Sequence, residues 1–223
     1  LVEMIDPAIL KGLIQTSTVL SMIGASLVAF TWAYPVENRS KHGRILLLWL
    51  SVADFLGSLF YFLQTFDLDE DSSYCKAYAA LDIFFPVASF IWTDFIAFYL
   101  FLVVRKRADS YKYNWKRMLF FFHIIAWSIS LLTMLLVILF NHAGRDSSQN
   151  AADDDGGAET AGWCWIQAHN AEERWIWELI GGKFIEWSSG LIIVPFLYIS
   201  VAYQLYQIDR PQQEIEQNHF GDR

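Results

Sequence analysis

The chain reads as an all-α integral membrane helix bundle, five transmembrane helices with the N-terminus outside. Three observations predict this. The 223 residues are 55% hydrophobic and only 18% charged, where a soluble domain carries about 25% charge. Charge is also absent from long runs. Asp, Glu, Lys and Arg are missing from 12–36, 118–144 and 187–208, while 45–66 holds only Asp54 and 83–104 only Asp94. Each run reaches the ~20 residues an α-helix needs to cross a bilayer, and in lipid such a segment must bond its backbone internally. Lastly, the linkers alternate in basic charge. The formal net charge of −8, with no basic face beyond short loops, excludes a nucleic-acid binder.

The spans follow in order as 12–34, 45–66, 78–104, 118–140 and 176–207. The linker 35–44 carries Arg39, Lys41 and Arg44, and 105–117 carries Arg105, Lys106, Arg107, Lys112, Lys116 and Arg117. The linker 67–77 and the outer loop 141–174 hold only Lys76, Arg145 and Arg174. Nine basic residues against three place the first pair of linkers in the cytoplasm and leave 208–223 as an inner tail. Residues 1–223 read as one bundle without internal repeats. Asn38-Arg39-Ser40 matches a glycosylation acceptor, but on a basic inner loop it reads as chance. The chain opens on Leu1 without a signal-peptide layout and stops soon after its last span, so both ends read as artificial.

Catalysis finds no support. His-Glu-x-x-His, a Gly-rich phosphate loop and Gly-x-Ser-x-Gly are all missing, so neither an enzyme, a cofactor nor a metal is expected. The run 153–157 lacks the alternating carboxylates of a calcium loop. His123, alone in the fourth span, reads as a packing residue.

A charge at bilayer depth costs ~2.5–3.5 kcal/mol on insertion scales and so faces a cavity or a partner. Asp54 lies ten residues beyond Arg44, and Asp94 eleven before Arg105. At 1.5 Å per residue both stand about 15 Å from the inner surface. The expectation is one intramembrane polar switch, in which one carboxyl holds a proton or the two share a cation. Two alternatives stay open: Asp94 turned to a Ser or Thr of another helix, or an ion-coupled transporter or channel using both. Asp82, Glu178, Lys183 and Glu186 lie nearer the outer face. Lys183 and Glu186, three apart, share a side of an α-helix. They line a polar cavity, or Lys183 snorkels outward. Trp175 and Trp177 suit an interfacial belt, while Trp163 and Trp165 suit a loop cap. Cys75 and Cys164 both fall on the outer side, where a disulfide is chemically allowed.

Several short motifs then occur in a fixed order. They are Arg44-Ile45-Leu46-Leu47-Leu48-Trp49-Leu50-Ser51-Val52-Ala53-Asp54; Cys75; Phe90-Ile91-Trp92-Thr93; Tyr99-Leu100; Trp127; Cys164-Trp165-Ile166; Gly182-Lys183 with Glu186; and Pro195. In this order the sequence resembles helices one to five of a seven-helix G-protein-coupled receptor, in the group of the orphan G-protein-coupled receptor 157 and the slime-mould cyclic-AMP receptors. The resemblance runs from about 15 to 208 and implies a receptor in the plasma or ciliary membrane. Such a receptor senses an extracellular ligand and activates a heterotrimeric G protein. The resemblance further implies a Cys75–Cys164 bridge, a ligand site drawing on Asp82, Trp165, Lys183 and Glu186, and a G-protein face of Arg105, Lys106, Lys112, Lys116 and Arg117. Departures exist: Val103-Val104-Arg105-Lys106 replaces the Asp-Arg-Tyr of rhodopsin-like receptors, and Asp94 stands where this group has an uncharged residue.

Overall fold

A computed structural model describes residues 7–33, 41–66, 73–106, 114–145, 164–167 and 171–221. Asn38-Arg39-Ser40, Lys112, Trp163 and the acidic run 153–157 lie outside the described residues, as does the side chain of Lys106. Four long helices come first: α1 Pro7–Ala33, α2 Lys41–Gln64, α3 Ser73–Lys106 and α4 Trp115–Leu139. Strands β1 Ala143–Arg145 and β2 Cys164–Ile166 follow. The fifth span is segmented into α5 Ala171–Glu178, a π-helical stretch Leu179–Lys183, α6 Phe184–Trp187, a second π-helical stretch Ser188–Ile193 and α7 Val194–Gly221. Five segments are long and apolar enough to cross a membrane: Lys11–Thr31, His42–Gln64, Ser73–Arg105, Trp115–Leu139 and Glu172–Ile208.

The third helix is the hub. It packs against α2, α4, α7 and both strands, and its buried face carries Cys75, Ala79, Ile83, Val87, Ala88 and Trp92. Small residues let the backbones approach, as expected where lipid supplies no hydrophobic drive between helices. A Cβ added at Gly57 of α2 would stand 3.4 Å from Phe85 and 3.8 Å from Pro86. Further inward, Trp49, Trp92 and Trp127 enclose His123. Trp127 Nε1–H donates to His123 Nδ1 at 3.2 Å, and the imidazole meets the rings of Trp49 and Trp92 edge-on at 4.6 and 4.9 Å. His123 is a packing residue. The outer faces of α1, α4 and α7 present Leu20, Leu27, Leu132, Leu139, Phe196 and Ile199, apolar groups suited to lipid.

The outer loop is more ordered than its polar composition suggests. Asn141 takes a left-handed φ of 59°, and the His142 N–H donates to Val137 O at 2.9 Å, closing α4. The chain then enters an antiparallel pair with register Ala143↔Ile166, Gly144↔Trp165 and Arg145↔Cys164. Cys75 and Cys164 are disulfide-bonded with Cα atoms 5.2 Å apart, so β2 is fastened to the first turn of α3.

Candidate functional site at the outer end of the bundle

The disulfide lays β2 across the mouth of the bundle, where it meets a kink in the fifth span. Ile166, 2% exposed, points at Gly181, where an added Cβ would stand 2.7 Å from Ile166 Cδ1. The next residue, Gly182, has φ 141° and ψ −24°, a region that only glycine occupies without strain. Its missing Cβ also leaves room for Val87 of α3, whose Cγ2 would stand 3.0 Å away. Two adjacent glycines thus allow the span to bend around the hairpin and dock on α3.

Two kinds of polar group gather below the hairpin. One set is satisfied. Glu178, 7% exposed, accepts from Arg174 Nε at 3.0 Å and pairs with Lys183. The Lys183 ammonium lies 5.5 Å from the ring centroids of both Trp165 and Trp175, within cation–π range. Lys183 is therefore held by an aromatic pair and a carboxylate. α-Helical spacing puts Lys183 and Glu186 on one side of the span, but the π-helical turn and the Gly182 kink break that register; Lys183 turns back to Glu178 and Glu186 is exposed. Trp175 serves as half of the cage, and Trp177 stacks on His142 at 4.1 Å, so neither is merely an interfacial belt residue.

The other set is unsatisfied. Asp82 of α3 is 5% exposed and Gln64 of α2 is 8% exposed. They stand side by side, with Tyr61 and Glu186 within electrostatic reach. Asp82 Oδ1 and both polar atoms of the Gln64 amide are buried without a hydrogen-bond partner among the described residues. Leaving such a group unpaired costs about 1–3 kcal/mol, more when it is charged. A bound donor or cation at this position removes that cost.

Deeper in the bundle, Asp54 and Asp94 bond to different serines. Asp54 accepts a hydrogen bond from Ser89 across the α2–α3 seam. Asp94 accepts from Ser189 Oγ at 2.7 Å across the seam between α3 and the fifth span. Ser89 and Asp94 are five residues apart on α3, so the seams are separated by about 7.5 Å along the helix and roughly 140° around it. Counting from the inner ends gives depth but not facing direction, and each carboxylate is turned to its own serine. The second π-helical stretch carries Ser189, 1% exposed, into contact with Asp94. Because each carboxylate has its own serine, Asp54→Asn and Asp94→Asn are expected to change thermal stability additively, to within about 0.5 kcal/mol. A double mutant far from the sum of the single mutants is the contrary result.

The inner face gathers the basic residues on helix ends. Arg105 and Lys106 close α3, while Lys116 and Arg117 open α4. The Asn114 side chain accepts from the Arg117 backbone N–H at 3.4 Å. Trp115 packs between His42 at 4.5 Å and Tyr99 at 5.1 Å, tying the starts of α2 and α4 to the end of α3. Among the described residues, no three His, Cys, Asp or Glu side chains are placed to hold a metal.

Ser89, Ser189, Gly181 and the pairing of Arg174 with Glu178 were not singled out by sequence. The Arg174–Glu178 pair has the i,i+4 spacing that could have found it; the serines carry no signal without a partner helix.

Comparisons with known proteins agree with this arrangement. The family model of the 7 transmembrane receptor (rhodopsin family) matches residues 24–219. Human G-protein coupled receptor 157 is 31% identical over 192 residues, which are 86% of this chain and 53% of that protein. The rat receptor of the same name is 33% identical over 193 residues, 86% of this chain and 54% of its own. Cyclic AMP receptor-like protein A of Dictyostelium discoideum is 22% identical over 70% of this chain and 37% of its own length. The chain spans about half the length of the G-protein coupled receptor 157 relatives it matches. Among solved structures, squid rhodopsin superposes with a TM-score of 0.67 at 16% identity, covering 96% of this chain and 61% of the rhodopsin chain. With the family model spanning nearly all of its helical core, the chain belongs to the rhodopsin family of seven-transmembrane receptors.

Proposed function

We propose that this chain supplies the ligand-sensing and part of the transducing surface of a receptor that activates a heterotrimeric G protein. The observation that carries the reading is the outer site. One turn and more inward of the disulfide-fastened end of α3, Asp82 is buried, with its Oδ1 lacking a hydrogen-bond partner among the described residues. Trp165, Lys183 and Glu186 flank the kink beside it. A ligand that offers Asp82 a donor or positive charge, and that rests on Trp165, binds where the fifth span bends. It can act only if it prefers one arrangement of that span over another. Asp54 and Asp94, each bonded across a different seam of α3, are the intramembrane polar contacts through which such a preference passes inward.

At the inner face, Arg105, Lys106, Lys112, Lys116 and Arg117 form the surface for the G protein, beside an anionic leaflet that favours basic side chains. The plasma or ciliary membrane is the site of action in this reading. In the receptor extended to the full length of its relatives, neutralising Lys112, Lys116 and Arg117 together is expected to lower second-messenger output several-fold at equal surface expression. Unchanged output would reduce these charges to setting topology.

A further inference from the structure

We propose that Trp165, Trp175 and Glu178 form a cage for a quaternary ammonium group, which Lys183 fills loosely until such a group displaces it. The Lys183 ammonium marks one point bounded on three sides. The rings of Trp165 from β2 and Trp175 from α5 stand over it, each centroid 5.5 Å away, and the Glu178 carboxylate accepts from it. Aromatic faces and a carboxylate around one point are a binding site for alkylated ammonium groups. That point is open to the outside, since the Lys183 side chain is 28% exposed and Trp175 is exposed as well. Trp187, with its centroid 5.5 Å from that of Trp175, supports the second wall.

The spacing selects the ligand class. Non-bonded heavy atoms touch at about 3.5–4.0 Å, so a nitrogen 5.5 Å from both centroids leaves a gap of roughly 1.5–2 Å on each side. One C–N bond spans about 1.5 Å. An N-methyl group on each side therefore rests on its ring, where the bare ammonium of lysine does not. A quaternary nitrogen has no N–H for Glu178, but Arg174 Nε, 3.0 Å away, keeps that carboxylate hydrogen-bonded after Lys183 leaves. Lys183 can leave because its ammonium is strongly hydrated and sits on a flexible stem. While in place it competes as a tethered group at an effective concentration of about millimolar, so the filled cage binds weakly and an emptied one more tightly. Displacement also undoes the Glu178–Lys183 contact, which ties one side of the Gly181–Gly182 kink to the other. A soluble ligand and the headgroup of an outer-leaflet phosphatidylcholine share this trimethylammonium chemistry. The inference rests on the reading of this end of the bundle as the ligand site, and because binding is measured without a G protein, its failure leaves the coupling reading standing.

Titration of the purified chain in dodecyl maltoside with tetramethylammonium chloride, read by N-methyl proton line broadening at constant ionic strength, tests it. Lys183→Met, which empties the cage and keeps an apolar stem, is expected to bind about tenfold more tightly than the wild type. Lys183→Gln empties it equally and serves where the first variant does not fold. Adding Trp165→Leu to either should weaken binding about three- to thirtyfold, and ammonium chloride should not displace the probe. The same titration in nanodiscs separates the two sources. Trp165-dependent binding kept in phosphatidylglycerol discs and lost in phosphatidylcholine discs assigns the cage to the lipid headgroup; binding kept in both assigns it to a soluble ligand. Equal affinities of the wild type and both lysine variants, binding indifferent to Trp165→Leu, or displacement by ammonium as effective as by the probe itself would overturn the proposal.

Discussion

Replacing Cys75 and Cys164 together by serine is expected to lower the stability of the detergent-solubilised chain by on the order of 2–4 kcal/mol. The bridge joins residues 89 apart in sequence, so its removal returns a long loop's freedom to the unfolded chain. The native state also loosens. Without the bridge, the contacts left among the described residues include the short pairing of β1 with β2, the seating of Ile166 on Gly181 and the Lys183 ammonium against Trp165. The thermal midpoint should fall by several degrees, and the outer ends of α3 and α5 should exchange amide hydrogens faster than the inner helix ends. An unchanged midpoint would mean that the hairpin is held by packing alone.

Gly182→Ala is expected to cost about 1–3 kcal/mol, because φ 141° with ψ −24° strains any side chain. The effect should persist largely intact in a Val87→Ala background, since making space for the new methyl group does not relieve the backbone. Gly190, in the second π-helical stretch, is the internal control. A Cβ there meets nothing within 4 Å, so Gly190→Ala should be neutral or stabilising by up to about 1 kcal/mol. Equal effects at the two positions would contradict a kink at Gly182. The midpoint of thermal unfolding in one detergent reads all of these variants on a common scale.

The five spans were legible because uncharged runs of membrane length have no other stable backbone in lipid, and Asp54 and Asp94 could each be tolerated inside such a run. The bridge between Cys75 and Cys164 was legible through the motif order, since the residues around Cys164 resemble those of a receptor's outer loop. Other features were not. Strands of three residues, 143–145 and 164–166, are too short to show an alternating pattern, and their pairing depends on the bridge that brings β2 to α3. The pairing of Lys183 with Glu178 was not legible because spacing rules assume α-helical register, and the span is π-helical over 179–183. Which group each of Asp54 and Asp94 meets was left open in the sequence for a related reason. Helix rise gives depth from a sequence count, but the direction a side chain faces depends on how neighbouring helices are rotated, which is set by contacts such as Gly57 against Phe85 and Pro86. Spans are written in composition. Seams between spans are written in shape, which one strand of sequence does not display.

The receptor reading stands or falls on nucleotide exchange. The protein, at the full length of its relatives and reconstituted in nanodiscs with its 75–164 bridge intact, should be mixed with purified heterotrimers of each Gα class. Exchange above that of empty nanodiscs is expected for at least one class, falling toward that background when Lys116 and Arg117 are replaced. Exchange equal to empty nanodiscs for every class, from protein shown to be folded and bridged, would contradict it.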